Sequence, residues 1–343
     1  MVKIILHFYA IQHSSFHHKL GLLTLIHHFM SSLESIILGH PSGIKANVNP
    51  LGATLRCLCV PDREGRMENI LVGFDHEDGW LQNDPHFGCT VGRYANRIAN
   101  GQFTLDGTLH QLSKNQGNHH LHGGFKNFSK VIWDTEIISD QAVRFTYLSL
   151  AGEEGFPGNL NVTVEYVLGE NSLTWKASAT VDQASPVNLT CHPYFNLTGN
   201  HRQSVLLHEL QICSEKYLPV DPTLIPTGEL RSVHETGFDF SSPTPISENL
   251  KATSVRFDHT FVLDPNHDQP NARCYDPTSG RVMEIFTNQP GLQLYLASPF
   301  GHENSAFCLE PQKFPDSPNK LHFPNTILHP GEVYENVMIL RFI

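Results

Sequence analysis

The stretch from Leu160 to Val181 constrains the fold more than any other part of this sequence. Apolar and polar side chains alternate cleanly over residues 160–168, and the same alternation returns over residues 173–181. Between the two runs lies Gly-Glu-Asn-Ser at 169–172, a composition typical of hairpin turns. Because a period of two residues is that of a strand with one buried face, we expect an antiparallel hairpin whose apolar face packs against a second layer.

Similar strand candidates recur along the chain, at residues 131–138, 142–150, 281–286, 292–296 and 336–343. Gly, Pro, Asn and Asp separate the apolar runs at short intervals, and no long helical periodicity interrupts them. Many short strands joined by turns are typical of sandwiches. The sequence therefore predicts an all-β fold, a large antiparallel β-sandwich with few short helices.

Residues 1–41 differ in texture from the rest of the chain. They contain seven histidines, and Lys3 before an apolar run faintly suggests a signal peptide. No small-residue cleavage site follows, and His27 and His28 interrupt the apolar residues that a spanning helix would need. We expect an N-terminal extension of unassigned role, helical or unstructured, or else a misplaced start codon. Residues 42–343 show no internal shift in composition and are expected to form one β-sandwich domain.

The net charge and the cysteines narrow the possible classes of function. The formal charge of −11 argues against nucleic acid and anionic membranes as partners. Seven cysteines are scattered along the chain, and Cys57 and Cys59 are too close for a Cys-x-x-Cys zinc knuckle. We therefore expect reduced thiols in a cytoplasmic protein.

Residues 188–199 read Asn-Leu-Thr-Cys-His-Pro-Tyr-Phe-Asn-Leu-Thr-Gly, with His192 in the middle. Pro193 excludes a helix interior and favours an extended backbone at His192. A histidine on such a segment can present its ring to a cleft. One histidine carries no geometry, however, and the same pattern suits a partly buried side chain in a loop of a β protein.

Other polar groups with potential roles lie in three further motifs. Arg97 follows Asn96 between small and apolar residues, so it is either a structural ion-pair partner or a fork of donors for a ligand oxygen. Asp258 precedes a histidine, which is also common turn chemistry. Glu310 follows an apolar triplet, where partial desolvation would raise its basicity, and Gln293 adds a neutral amide.

Residues 118–124, Asn-His-His-Leu-His-Gly-Gly, carry a second histidine cluster. On a strand, His120 and His122 would share one face, which is the spacing of metal-binding β-barrels of the cupin kind. Such a site needs a downstream carboxylate and another histidine, for which Glu310 and His192 are candidates. A cupin-type metalloenzyme therefore remains an alternative on spacing alone.

Five motifs occur in order along the chain: Asn-Arg-Ile from residue 96, His-Gly-Gly from 122, Thr-x-His-x-Tyr-Phe-Asn-Leu from 190, Asp-His from 258, and Leu-Glu-x-Gln from 309. Together they resemble the aldose 1-epimerases, or galactose mutarotases, over residues 42–343. The resemblance implies a β-supersandwich with a sugar site in a cleft on one sheet. It implies that His192 is the general acid and Glu310 the general base. The sugar-binding residues that it implies are Asn96, Arg97, His122, Tyr194, Asp258 and Gln293.

The substrate implied by the resemblance is a small free aldose such as galactose or glucose, with no metal or redox cofactor. A monomer or a weak homodimer is expected. Two departures from the family pattern concern the site. Cys191 stands where the family commonly has Asn, and residues 295–298 read Tyr-Leu-Ala-Ser in place of Tyr-Thr-Gly-Asn, so the family's sugar contacts there are not carried over to this chain.

Interconverting the two anomers requires opening the hemiacetal, rotating about C1–C2 and closing on the other face. Opening removes a proton from the C1 hydroxyl and delivers one to the ring oxygen, which suits a carboxylate and an imidazolium on opposite sides of the sugar. We therefore expect Glu310 to be ionised and His192 protonated at rest, with nearby carboxylates raising the pKa of His192. Two further alternatives are a hexose-6-phosphate 1-epimerase, which would need basic residues, and a non-catalytic sugar-binding β-sandwich.

Overall fold

The computed structural model of the chain describes residues 34–41, 43–253, 255–264 and 269–343. Expectations for residues 1–33 lie outside the described residues. The strands of the first half are β1 (Ile36–Gly39), β2 (Lys45–Asn49), β3 (Thr54–Pro61), β4 (Met67–Asn69), β5 (Thr90–Val91), β6 (Arg97–Ile98), β7 (Gln102–Leu105), β8 (Thr108–Gln111), β9 (His120–Leu121), β10 (Asp134–Ser139), β11 (Ala142–Ser149), β12 (Leu160–Leu168) and β13 (Ser172–Val181).

The second half of the chain is equally rich in strands. They are β14 (Ser185–Pro186), β15 (Thr190–Cys191), β16 (Glu209–Ile212), β17 (Lys216–Tyr217), β18 (Arg231–Ser232), β19 (Thr244–Pro245), β20 (Asp258–Val262), β21 (Ala272–Tyr275), β22 (Val282–Thr287), β23 (Gly291–Ala297), β24 (Ala306–Gln312), β25 (Ile327–Leu328) and β26 (Tyr334–Phe342).

Helices are few and short. The α-helices within the described residues are α1 (Glu77–Gln82) and α2 (Ile246–Ala252). Single 3₁₀ turns occur at Ala99–Gly101, Phe128–Lys130, Glu153–Gly155, Pro299–Gly301 and Ser317–Asn319. Across the described part of the chain, none of the helices has the length and apolar character needed to cross a membrane.

Three sheets enclose one main core. The largest has nine strands in the order β10-β11-β12-β13-β26-β22-β21-β16-β19, and two others have the orders β18-β17-β20-β23-β24 and β1-β2-β3-β4. The pairings within these sheets are antiparallel. Apolar side chains from all three sheets belong to the same buried cluster, so the nine-stranded sheet packs against the other two. The predicted antiparallel β-sandwich is confirmed.

The hairpin expected from the sequence is β12 and β13. Leu168 pairs with Leu173 across the turn, and the amide of Gly169 donates to the carbonyl of Ser172 at 2.7 Å. The inward side chains are buried on both strands: Leu160, Val162, Val164, Tyr166, Leu168, Leu173, Trp175, Ala177, Ala179 and Val181. The division of the chain at residue 42 stays a prediction. Strand β1 lies on the N-terminal side of that division and pairs with β2.

Arg93 fixes the connection between β11 and β12 from inside the protein. Only 2% of this residue is exposed, and its guanidinium donates five hydrogen bonds. The acceptors are the hydroxyl and carbonyl oxygens of Ser149 and the carbonyl oxygens of Leu150, Pro157 and Gly158, at 2.7–3.0 Å. All five N–H donors of the planar fork are therefore used.

Replacing Arg93 by Lys should lower the free energy of unfolding by about 3 kcal/mol, since a lysine offers three donors and no planar fork, leaving buried carbonyls unpaired. Urea unfolding followed by circular dichroism measures the loss. Arg202→Lys, at an exposed arginine, is the matched control and should change stability by less than about 0.5 kcal/mol. Equal stabilities of the two variants would contradict the structural role of Arg93.

Candidate active site

Three neighbouring strands place polar side chains on one face of the five-stranded sheet. Because side chains alternate along a strand, residues directly opposite one another share a face. One row across β20, β23 and β24 consists of Asp258, Tyr295 and Cys308. The neighbouring row consists of Thr260, Gln293 and Glu310. The intervening residues of β23 and β24 are buried in the main core. The period-two pattern therefore builds the polar face and the core from the same strands.

His192 lies over this face, at the end of β15. Its amide donates to the carbonyl of Cys89 at 3.0 Å, and its carbonyl accepts from the amide of Gly88 at 2.9 Å. The imidazole stacks on the ring of Tyr194 with a centroid distance of 5.1 Å. Its Nε2 lies 3.4 Å from Oε1 of Glu310, and these side chains are only 6% and 2% exposed. The backbone thus holds the ring directly against the carboxyl group.

Burial shifts the pKa values of this pair toward the neutral forms. It lowers the pKa of His192 to about 3, with a smaller contribution from His86. It also raises the pKa of Glu310 well above its usual value, and Asp258 adds to this while Arg97 opposes it. Both directions are opposite to the sequence-based expectation of an ionised Glu310 and a protonated His192. The sequence does not reveal the desolvation that causes them.

Arg97 and Asp258 meet beside the pair. Arg97 Nη1 lies 3.7 Å from Asp258 Oδ2, and Arg97 Nε donates to Gln116 Oε1 at 2.7 Å. Gln293 Nε2 donates to the other oxygen of Asp258 at 2.6 Å. Burial lowers the pKa of Arg97, while Asp258 and then Glu310 raise it. Unlike Arg93, which gives all five donors to a serine hydroxyl and backbone carbonyls of the fold, Arg97 keeps donors near the polar face that carries Asp258 and Glu310.

His122 joins the cluster through Asn96. The amide of Asn96 donates to Nδ1 of His122 at 3.1 Å, and the amide of His122 donates to the carbonyl of Asn96 at 3.1 Å. Both residues have left-handed backbones, with φ of 64° and 52°. Since Nδ1 accepts a hydrogen bond and burial holds the pKa of His122 well below its usual value, the proton of this neutral ring lies on Nε2. The ring is 5.4 Å from that of His192.

All eight residues singled out in the sequence are thus linked by direct contacts into one cluster. Tyr194 contributes its ring beside His192, whereas its hydroxyl donates to the carbonyl of Pro85 at 2.8 Å. Within the described residues, Glu310 Oε2 is buried and has no hydrogen-bond partner. A buried carboxyl oxygen of that kind needs a donor, which a ligand hydroxyl can supply.

Cys191, which stands where the family commonly has Asn, points away from His192. Its thiol contacts the hydroxyl of Tyr166 and the carbonyl of Gly88, each at 3.7 Å. Burial raises the pKa of this thiol to about 12, so it is a neutral, packed side chain. The departure therefore leaves the imidazole of His192 held by its backbone hydrogen bonds and by Tyr194.

The cupin-type arrangement required His120 and His122 on one strand face. Strand β9 ends at Leu121, and His122 has a positive φ, so the alternation does not continue through it. His120 bonds through Nδ1 to the carbonyl of Ser113 at 2.8 Å. Among the described residues, the side chains that bring three potential metal ligands within 4.8 Å of one another are those of His192, Cys308 and Glu310.

Sequence reasoning missed one residue of this site, His86. Its ring lies 5.1 Å from that of His122 and 6.3 Å from that of His192. In the sequence it follows Asn-Asp-Pro, an ordinary turn composition. Its neighbours in the site are distant in sequence, so no local pattern could have identified it.

A cavity of about 930 Å³ adjoins the cluster at Asp258 and Tyr295. Aromatic rings of Tyr217 and Phe238 line it together with Arg256. A space of this size beside the polar face can admit a small polar ligand with apolar ring faces.

A family model described as aldose 1-epimerase matches residues 34–341. Galactose mutarotase from Bos taurus is 42% identical over 312 residues, covering 87% of this chain and 91% of the relative. Aldose 1-epimerase from Escherichia coli (strain K12) is 35% identical over 328 residues, covering 90% and 94%. Among solved structures, an aldose epimerase homologue from C. elegans has a TM-score of 0.86 at 31% identity, covering 91% of this chain and 99% of that one.

The buried histidines make the stability of the fold depend on pH. Burial lowers the pKa of His86, His208 and His259 to about 4 and that of His192 to about 3, and it holds the pKa of His122 well below its usual value. The unfolded chain binds these protons below pH about 6.5, so stability is lost as pH falls from there toward 4. Glu310 acts in the opposite direction, because its raised pKa makes the folded protein hold one proton that the unfolded chain has already released in this pH range. The free energy of unfolding should therefore fall by about 5 kcal/mol per pH unit between pH 6 and 5.

Urea unfolding at pH 7, 6 and 5 measures this slope. His208→Gln should flatten it by about 1.4 kcal/mol per pH unit, because one histidine no longer titrates in the unfolded chain. The matched control is His329→Gln, at an exposed histidine, which should leave the slope as it is. A free energy of unfolding that is constant from pH 7 to 5 would contradict the burial of neutral histidines.

Proposed function

Because the chain belongs to the aldose 1-epimerase family, we propose that its cleft binds a free hexose and that His192 and Glu310 interconvert the α and β anomers. The protein is an isomerase, an aldose 1-epimerase. The single observation that carries the residue assignment is the contact of 3.4 Å between His192 Nε2 and Glu310 Oε1 inside a buried polar cluster.

In the forward step, Glu310 takes the proton of the C1 hydroxyl while His192 gives a proton to the ring oxygen. The C1–O5 bond breaks, and the open aldehyde rotates about C1–C2. Closure on the other face returns both protons, so neither residue is changed at the end of the cycle. Each positioned proton transfer contributes about 10²–10⁴-fold to the rate. The burial of both side chains supports this assignment, since titratable groups with strongly shifted pKa values are typical of catalytic sites.

The working protonation state differs from the favoured resting state by the position of one proton. Burial favours a protonated Glu310 beside a neutral His192. Moving that proton across the contact of 3.4 Å gives the carboxylate and the imidazolium. The pair is neutral overall in both states, so the change requires no proton from solvent.

The remaining residues of the cluster suit the hydroxyl groups of a sugar. Arg97 and the Nε2–H of His122 are donors, and Asp258 is an acceptor held by Arg97 and Gln293. Asn96 fixes His122 through its backbone. Tyr194 supports the imidazole of His192 by stacking. Directional donors and acceptors of this kind recognise hydroxyl positions without a metal.

Galactose and glucose are the substrates that we propose, since relatives are named galactose mutarotase. A hexose 6-phosphate would require cationic groups, and Arg231 and Arg256 do line the adjoining cavity. Arg231 already pairs with Glu229 at 2.6 Å, and Nη2 of Arg256 donates to Ser298 and Asn304 at 3.0 and 2.9 Å. Because both guanidinium groups already bind protein acceptors, we favour the uncharged sugar.

We also propose that the protein acts in the cytoplasm, as a monomer or weak homodimer, without nucleic-acid or membrane partners. The net charge of −11 supports the lack of nucleic-acid and membrane partners. The seven cysteines, which are all described and are all free thiols, support a location in the cytoplasm.

Purified protein should accelerate the polarimetric relaxation of α-D-galactose or α-D-glucose. His192→Ala and Glu310→Gln should each lower kcat by about 10²–10⁴-fold, because each removes one proton-transfer group. Circular dichroism of each variant confirms that the fold is retained. A wild-type rate equal to the buffer rate with both sugars would overturn the proposed reaction, and sugar binding without turnover would favour a lectin-like sandwich.

Further measurements distinguish the proposed reaction from a cupin-type metalloenzyme and from a hexose-6-phosphate 1-epimerase. Activity should survive a chelator, and His120→Asn should keep it, since an amide can retain the bond to the Ser113 carbonyl. Loss of activity in both arms would instead indicate the cupin-type metalloenzyme. Turnover of glucose 6-phosphate in preference to glucose would indicate the phosphorylated substrate class.

A further inference from the structure

His86 is a half-buried histidine that the proposed acid–base mechanism does not use. It follows α1 in a tight turn, with a left-handed backbone at φ 63°. Its ring packs edge-on against that of His122 at 5.1 Å and lies 6.3 Å from that of His192. The three imidazole rings therefore form one group beside the reacting pair.

The hydrogen bonds around Ser129 determine the tautomer of His86. The amide nitrogen of Asn127 donates to the carbonyl of Gly124 at 2.9 Å, which leaves Asn127 Oδ1 as the acceptor. The hydroxyl of Ser129 donates to that Oδ1. Ser129 Oγ can then only accept from Nδ1 of His86, at 3.1 Å. The proton of His86 accordingly lies on Nδ1, and Nε2 carries a lone pair.

Within the described residues, no hydrogen bond reaches Nε2 of His86. Burial lowers the pKa of His86 to about 4, and the positive charge of Lys130 adds to this effect. The ring is therefore neutral near pH 7, and Nε2 is an acceptor rather than a donor.

His122 has the opposite tautomer. Its Nδ1 accepts from the amide of Asn96 at 3.1 Å, so its Nε2 carries the proton. Two adjacent rings thus differ in what they offer a ligand: His122 offers a donor and His86 an acceptor. A sugar hydroxyl both donates and accepts, so a set of hydroxyl groups on one ring can satisfy both histidines.

We propose that His86 is a substrate-binding residue whose Nε2 accepts a hydrogen bond from one hydroxyl group of the aldose. This assignment rests on the proposed function, since it requires a sugar in the cleft. Ser129 is then a positioning residue, which acts by holding the proton of His86 on Nδ1. The side chain of Asn127 orients the hydroxyl of Ser129.

A cycle of enzyme and substrate changes tests the proposal. His86→Phe keeps a flat ring against His122 and removes the acceptor, so kcat/KM for D-galactose should fall about 10-fold. The same comparison is made with the 2-, 3-, 4- and 6-deoxy sugars, after subtracting spontaneous mutarotation. With one of the four, wild type and His86→Phe should be equal, because the hydroxyl that binds His86 is missing.

His86→Gln places an amide oxygen at a reach similar to that of Nε2 and should recover most of the activity toward galactose. His329→Phe, at an exposed histidine, is the matched control and should show no loss with any sugar. A loss of the same size with galactose and with all four deoxy sugars would overturn the assignment of His86. If wild type itself accelerated none of the sugars, the proposed reaction would fail, and this assignment with it.

A measurement on wild-type protein does not depend on the folding of any variant. Long-range ¹⁵N–¹H correlation spectra distinguish the two neutral tautomers of an imidazole, and we expect His86 to carry its proton on Nδ1. In Ser129→Ala the tautomer ratio should shift toward Nε2–H, and kcat/KM for galactose should fall about 3-fold or more. A wild-type His86 with its proton on Nε2 would overturn the proposal.

Discussion

The antiparallel register of β23 and β24 is the constraint on which the site depends. It places Gln293 opposite Glu310 on the polar face of the sheet. Leu292, Leu294 and Leu309 alternate with these residues and fill the core. Because the side-chain period is two, a shift of one strand by a single residue would turn its polar groups into the apolar core and its leucines onto the polar face. The apolar core thus decides which face carries the carboxyl group, and selection for packing and for chemistry acts on the same register.

A buried amide holds the other half of the site at a fixed distance from this sheet. Asn336 lies on β26, in the opposite sheet, and is fully buried. Its side chain donates to the carbonyl of Leu189 at 2.7 Å and to that of Pro311 at 2.9 Å. These carbonyls belong to the segments that carry His192 and Glu310. One side chain therefore ties both segments to a common point, which explains a polar residue at a position otherwise suited to a hydrophobic one.

Features that depend on neighbouring residues or on short motifs could be predicted from the sequence, whereas features that depend on contacts between distant residues could not. The alternation over residues 160–181 sufficed for the central hairpin, and the ordered motifs located eight residues that the fold brings into contact. Arg93 and Arg97 look alike in the sequence, and only the fold shows that Arg93 gives all five donors to the protein. His86 and the resting protonation of the acid–base pair were not predictable, because they depend on distant contacts and on burial.

The favoured neutral state of the His192–Glu310 pair has a consequence for how the site responds to its substrate. Desolvation disfavours the imidazolium and the carboxylate, and Arg97 only partly offsets this at Glu310. A C1 hydroxyl that donates to Glu310 stabilises the carboxylate, and a ring oxygen that accepts from His192 stabilises the imidazolium. The C1 hydroxyl, which loses a proton, and the ring oxygen, which gains one, are therefore the groups that stabilise the carboxylate and the imidazolium. In the proposed mechanism a correctly placed aldose brings about the charge separation that opens its own ring, while a ligand lacking either oxygen leaves the pair neutral.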